Sequence, residues 1–225
     1  MDSRLFIKKI QCPVCGETFE TVKVKIRSCK LKSRESDFCC YYEDLNPLLY
    51  ETIVCENCGY AALSDRFENI TDKETKIIRQ SIKPKWVKRS FCKERSIQDA
   101  LEANKIALYN LQVRNAKASE FAKVCMRIAW MYRELNDEKE KDFLKFALDN
   151  YIKAFENEKF PIDKLDENTC IYLIGELNRR LGNKEEAIKW FSRVVSSQAA
   201  RNNRMLMDLT REQIQAIRET ERRND

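Results

Sequence analysis

Val54-Cys55-Glu56-Asn57-Cys58-Gly59-Tyr60-Ala61 decides how this chain is read, because Cys12-Pro13-Val14-Cys15-Gly16 repeats its C-x-x-C-G core near the start of the sequence. Two such turns supply four thiolates, the number that a closed tetrahedral structural zinc site takes up. A glycine after each second cysteine lets the chain turn back without a Cβ penalty, so that backbone N–H groups point at the sulfurs. Residues 16–54 put 39 positions between the pairs, against roughly 15–20 in the compact pattern. The longer loop costs little: each doubling adds only about 0.6 kcal/mol of closure entropy, while a structural zinc ion contributes roughly 10–16 kcal/mol. The expectation is one structural Zn2+ per chain on Cys12, Cys15, Cys55 and Cys58.

Two rival readings fit less well. A redox C-x-x-C follows a strand, opens a helix and stands alone, whereas here two pairs recur in short strand-like surroundings. A disulfide framework belongs to small secreted domains, but Leu5-Phe6-Ile7 is followed at once by Lys8-Lys9 instead of a secretory apolar region. Reduced thiols in the cytoplasm are expected, and no apolar run approaches the roughly 18 residues of a membrane span. At 225 residues, 43% hydrophobic and 35% charged, the chain is long enough to divide into two folded parts. It contains no histidine. That removes Ser-His and Cys-His nucleophile pairs, and a site of four cysteines keeps no open position for catalysis.

Residues 17–35 alternate in the manner of strands, with Phe19, Val22, Val24 and Ile26 apolar and Lys23 and Lys25 on the other face. Residues 33–49 read as a polar and aromatic loop closed by Asn46-Pro47, and Tyr50–Val54 as a strand leading into the second cysteine pair. The CPVCG turn, Arg34 with Asp37-Phe38, Tyr41, Asn46-Pro47, Tyr50 and the closing V-C-E-N-C-G-Y-A together resemble a bacterial protein family catalogued as a domain of unknown function. The resemblance covers most of the chain. It implies a zinc ribbon joined to TPR-like helices and a bacterial cytoplasmic origin, and it implies no reaction.

On the loop, Arg34, Asp37, Tyr41 and Tyr42 are candidate partner-binding residues, since long structured loops are often functional. The plainer reading pairs Arg34 with Asp37 and spreads the tyrosines over the small zinc core. Cys29, Cys39 and Cys40 lack paired spacing and read as small buried hydrophobes; one of them acting as the nucleophile of a thiol-dependent enzyme is the weaker alternative.

Thr71-Asp72-Lys73-Glu74 forms a capping box that opens a short helix to about Ser81, before Pro84. Residues 64–95 hold ten basic and five acidic groups, so most of the net charge of +6 lies there. Lys83, Lys85, Trp86, Lys88 and Arg89 are candidate nucleic-acid contacts, with the aromatic ring stacking on bases. A solvated linker whose aromatics pin two parts together explains the same residues, and the pI of 8.7 falls below that of a dedicated nucleic-acid domain.

From Ser96 the pattern is helical, with helices expected near 96–114, 119–135, 139–157, 168–198 (a pair) and 201–222. Residues 168–198 fit one tetratricopeptide unit, through Ile174-Gly175, Leu181-Gly182-Asn183 and Ala187…Phe191…Val194. A degenerate copy precedes it, with Ala147 standing 40 residues before Ala187. The last helix reads as the polar cap such an array needs. Arg127, Arg133, Asn178 and Arg179 lie where a concave groove would hold an acidic peptide or carboxylate. The sequence thus predicts an α+β chain: a β-rich zinc-ribbon domain over 1–63 with a long insertion, a basic linker over 64–95, and a TPR-like antiparallel helical array over 96–225. The expected function is a non-enzymatic scaffold binding a protein or peptide, with nucleic-acid binding as the alternative.

Overall fold

The computed structural model describes residues 2–222 and is an α+β structure, six short strands followed by seven helices. Strands β1 (Leu5–Gln11) and β2 (Thr18–Val24) pair antiparallel from Leu5 opposite Val24 to Gln11 opposite Thr18. Strands β3 (Leu31–Arg34) and β4 (Cys40–Tyr42) form a second hairpin, and β5 (Thr52–Val54) and β6 (Ala61–Leu63) a third. The alternation read through Ile26 stops at Val24, because the partner strand ends at Leu5; Ile26 lies in a single helical turn and is exposed. The predicted loop over 33–49 is largely ordered. It carries β4 and the turn Pro47–Tyr50, in which the Leu48 N–H donates to the capping Asn46 side chain (3.0 Å).

The helices are α1 (Asp72–Ser81), α2 (Ile97–Val113), α3 (Ala118–Glu134), α4 (Lys139–Asn157), α5 (Glu167–Arg180), α6 (Lys184–Ser196) and α7 (Arg204–Arg222). Thr71 with Glu74 and Ser96 with Asp99 form reciprocal capping boxes, and Asp166 caps α5; each cap contributes about 1 kcal/mol. Helices α3 and α4 pack as one antiparallel pair and α5 and α6 as another, with α7 against both α5 and α6.

The cores cross from strands to helices. Ile78 and Ile82 of the α1 region join Phe19, Ile53, Tyr60 and Phe67 around the cysteines. Ala103 and Ala107 of α2 pack on Val54 of β5 and Ala61 of β6. Small residues on that face of α2 let the helix lie directly across the third hairpin.

Gly175 shows how the α5–α6 pair is made. A Cβ there would stand 2.7 Å from the ring of Phe191, which is fully buried. Gly175→Ala gains about 1 kcal/mol of helix propensity but overpacks a core, which typically costs 1–3 kcal/mol. The clash wins, because the ring has no room to move. Urea unfolding is expected to show a net loss of stability on the order of 1 kcal/mol; a gain would mean that Phe191 repacks freely.

Candidate metal centre

The first and third hairpins present their cysteines in matching turns. Six residues separate the closing pair Gln11–Thr18, and six separate Val54–Ala61. In each turn the first cysteine N–H donates across the loop, Cys12 to the Glu17 carbonyl (2.9 Å) and Cys55 to the Tyr60 carbonyl (2.8 Å). In each, the glycine N–H donates back to the first cysteine's carbonyl at 2.9 Å, with φ of 79° at Gly16 and 75° at Gly59. Congruent turns facing one another bring four sulfurs together.

All four Sγ atoms lie within 4.8 Å of one another, with Cys12–Cys58 and Cys15–Cys55 at 3.7 Å. A tetrahedron with metal–sulfur bonds of about 2.3 Å has sulfur–sulfur edges of roughly 3.8 Å. A disulfide needs about 2.05 Å, so the arrangement suits a shared cation and not S–S bonds; all ten cysteines are free thiols. Three of the four are buried and Cys15 is half-buried. Four sulfurs this close ionise together only around a cation. Hydrogen bonds with Cys12 and Cys58 hold the Cys55 thiol far below its ordinary value, while those with Cys12 and Cys55 push Cys58 far above it.

The basic segment holds both turns from outside. Arg79 donates to the Val14 carbonyl in the first, and Trp86 Nε1 donates to the Glu56 carbonyl in the second at 2.7 Å. The Trp86 ring lies so close to Gly59 that a Cβ there would be 2.5 Å away, while Gly16 has open space. Both glycines pay the same conformational penalty on mutation to alanine, roughly 1–2 kcal/mol. Gly59→Ala is therefore expected to lower thermal stability well beyond Gly16→Ala, by the added cost of displacing Trp86. Equal losses would show that the Trp86 contact does not hold the turn.

Of the basic-segment candidates, Arg89 lies over Trp86 (5.1 Å) and pairs with Glu102 (2.5 Å). Trp86 thus has Gly59 against its ring, Arg89 over it and its N–H engaged. Lys83, Lys85 and Lys88 are exposed.

The partner-binding candidates meet one another across the chain. The β3–β4 hairpin is an arm with an exposed strand β3, a half-buried strand β4 and Asp37 and Cys39 buried at its tip. Asp37 at the tip is 0% exposed; its carboxylate accepts from Arg133 Nη2 (2.6 Å) and Nη1 (3.2 Å) and from Trp130 Nε1 (3.0 Å). Glu35 accepts from Arg133 (3.0 Å), Arg180 (2.7 Å) and the Tyr41 hydroxyl (2.6 Å). Ser36 Oγ donates to the fully buried Glu176 (2.6 Å), which also receives Arg179 and Arg180, and the Tyr172 hydroxyl donates to the Ser36 carbonyl. Phe38, at φ 69°, packs its ring 5.6 Å from Tyr172.

Arg34 does not pair with Asp37; its guanidinium sits over Phe38 and donates to the Met205 sulfur. Tyr42 is half-buried opposite Leu31. Arg127 pairs with Glu51 (2.5 Å), and Asn178 bonds to Ile174 and Asn183. The acidic segment predicted for the groove residues is therefore met, at Arg133, by the chain's own arm. Trp130, Glu176 and Arg180 complete this cluster unpredicted. Glu176 carries the only available signal, a carboxylate among Leu173, Ile174 and Leu177 with arginines three and four residues on.

Cys39 is buried and burial pushes its thiol up to about 12; Cys29 and Cys40 are also raised by burial. Reactive cysteines shift the other way. Among the described residues no helix is long and apolar enough to cross a membrane.

Residues 5–217 match a family model described as an uncharacterized protein conserved in bacteria. A protein of Borreliella burgdorferi, named an uncharacterized protein, is 25% identical over 184 residues, covering 72% of this chain and 65% of the relative. The chain thus matches somewhat less than two thirds of that curated relative's length. No solved structure matches.

Proposed function

The chain belongs to this bacterial family, DUF2225, and from that premise we propose a non-enzymatic interaction protein: a structural zinc ion on Cys12, Cys15, Cys55 and Cys58 folds the N-terminal part, and the assembled surface binds a protein or peptide partner. The observation that carries the reading is the cluster of four sulfurs, all within 4.8 Å of one another and two pairs at 3.7 Å, against roughly 3.8 Å for the edges of four thiolates on zinc. A soft, all-thiolate tetrahedral set selects zinc or iron, and a closed set of four leaves no position for substrate. The fold around it supports a zinc-ribbon part over 1–63, a linker over 64–95 that braces both cysteine turns, and TPR-like pairs α3–α4 and α5–α6 with α7 as cap. Ten free thiols favour a reducing compartment such as the bacterial cytoplasm.

Affinity capture from the native cell with nuclease treatment tests the partner half. A protein retained by the wild type and lost with Cys55→Ser is expected; recovery of nothing beyond nucleic acid sinks the reading. Exposed Lys83, Lys85 and Lys88 keep nucleic-acid binding as the second reading. It requires a retarded band that weakens steeply with salt.

A further inference from the structure

The arm occupies the arginine-lined face between α3 and α5, so a partner must dock elsewhere, and one open apolar cavity has no occupant from the chain itself. It has a volume of about 320 Å³, between the end of α1, the basic segment and the outer face of α2, at the lower end of the range of ligand pockets. Ile82, Trp86, Ile106 and Tyr109 form its walls, and Lys85 and Lys105 stand at its rim. Two exposed large hydrophobic residues belong to this region: Tyr109 is 49% exposed, and Val87, next to Trp86, is 79% exposed. Apolar surface left in water beside a preformed cavity is the usual mark of an interaction site.

The charge around it is mixed but positive on balance: Lys85, Lys105 and Glu102 line it. Lys83, Lys85, Lys88 and Lys105 are exposed and have no carboxylate in ion-pair reach among the described residues, although Lys105 Nζ lies 5.4 Å over the Tyr132 ring, and the lining Glu102 is paired with Arg89. The indole of Trp86 has Gly59 against its ring and Arg89 over it, and it still lines the cavity. An apolar cavity with a lysine rim fits an apolar anchor flanked by carboxylates.

We infer that this cavity is the docking site for an acidic peptide segment that inserts one aliphatic or aromatic side chain between Trp86, Ile106 and Tyr109 while its carboxylates meet Lys85 and Lys105. The inference rests on the interaction-protein reading and gives it a place and a partner chemistry. It also links the cavity to the metal. The Trp86 wall is held by the Glu56 carbonyl and by Gly59, both in the second cysteine turn, so the pocket is shaped only when that turn is.

Panning a display library of random twelve-residue peptides against the zinc-loaded full chain tests this. Enriched sequences are expected to combine several Asp or Glu with one Leu, Phe or Trp, to bind Tyr109→Ala or Ile106→Asp at least tenfold more weakly, and to weaken with Lys85→Glu and with rising salt. Tyr109 is half exposed, so Tyr109→Ala reports binding even if Ile106→Asp perturbs folding. Peptides that bind the wild type and Tyr109→Ala equally would overturn the site while leaving the interaction reading standing. No enrichment at all would sink both. A single-stranded 20-nucleotide DNA lost with Tyr109→Ala would overturn the peptide assignment and give the surface to nucleic acid.

Discussion

Cys55→Ser is expected to purify with bound metal reduced from about one zinc per chain to nearly none, and to lose order in everything the two cysteine turns hold. The reason is the size of the interaction: structural zinc contributes roughly 10–16 kcal/mol of apparent free energy, comparable with the whole stability of a domain, about 5–15 kcal/mol. The damage has a predicted boundary. Ile78 and Ile82 share the core around the cysteines, and Trp86 and Arg79 bond directly to the turns, so α1 and the basic segment loosen with the hairpins. One core joins α3, α4 and α5 and another joins α5, α6 and α7, neither of them containing a residue of the cysteine hairpins, so these helices keep their helical signal. Metal analysis with hydrogen exchange reads both outcomes, and chelation of the wild type reproduces them. Freshly purified, reduced wild type without stoichiometric metal would remove the metal site; coloured protein with iron in place of zinc would correct the ion.

Asp37→Ala is the second large effect. It leaves Arg133 and Arg180 facing one another in a mostly buried cluster whose central carboxylate is gone. Breaking a buried pair from one side costs about 3–5 kcal/mol, which for a chain of this size lowers Tm by roughly 6–20 °C. Asp37→Asn keeps the shape but turns an amide toward donors from Arg133 and Trp130, so it recovers little. A double-mutant cycle with Arg133→Ala should return a coupling of about 0.5–3 kcal/mol; a coupling near zero would mean that the arm tip is held by Glu35, Ser36 and Phe38 without the Asp37–Arg133 pair.

The same cluster sets an acid limit. Burial by itself raises the Asp37 carboxyl, but the hydrogen bond from Arg133 and the charges of Arg180 and Arg133 outweigh it and hold the group below its ordinary 3.8. Glu35 is likewise raised by burial and brought below 4.5 by Tyr41, Arg180 and Arg133. A depressed folded value means stability that is fully present above the unfolded values and is lost as pH falls through the folded ones. Wild type is therefore expected to destabilise below about pH 4.5, and Asp37→Ala to show a shallower acid transition. Identical pH profiles would show that the carboxylate does not titrate with unfolding.

Much of this was legible one residue at a time. Capping residues Thr71 and Ser96, the 3.6-residue spacing of apolar positions and the break at Pro84 act within a few residues, and the helices follow them closely. The C-x-x-C-G turns are equally local, since a glycine after the second cysteine already specifies how each turn closes. The β3–β4 arm was not legible as a hairpin, because β3 is exposed, β4 is half-buried at every position, and the two pair only with each other, leaving no buried-exposed alternation to read.

The sequence alone determined the helices, the two cysteine turns and the location of the basic segment, because backbone preference and hydrophobic period are short-range properties. Tertiary structure alone decided which charges meet. It placed Asp37 on Arg133, 96 residues away, closed Trp86 against the second cysteine turn, and left the cavity beside Tyr109 open. Pairings of that kind depend on where elements pack in space, and no local pattern in the chain encodes the distance between them.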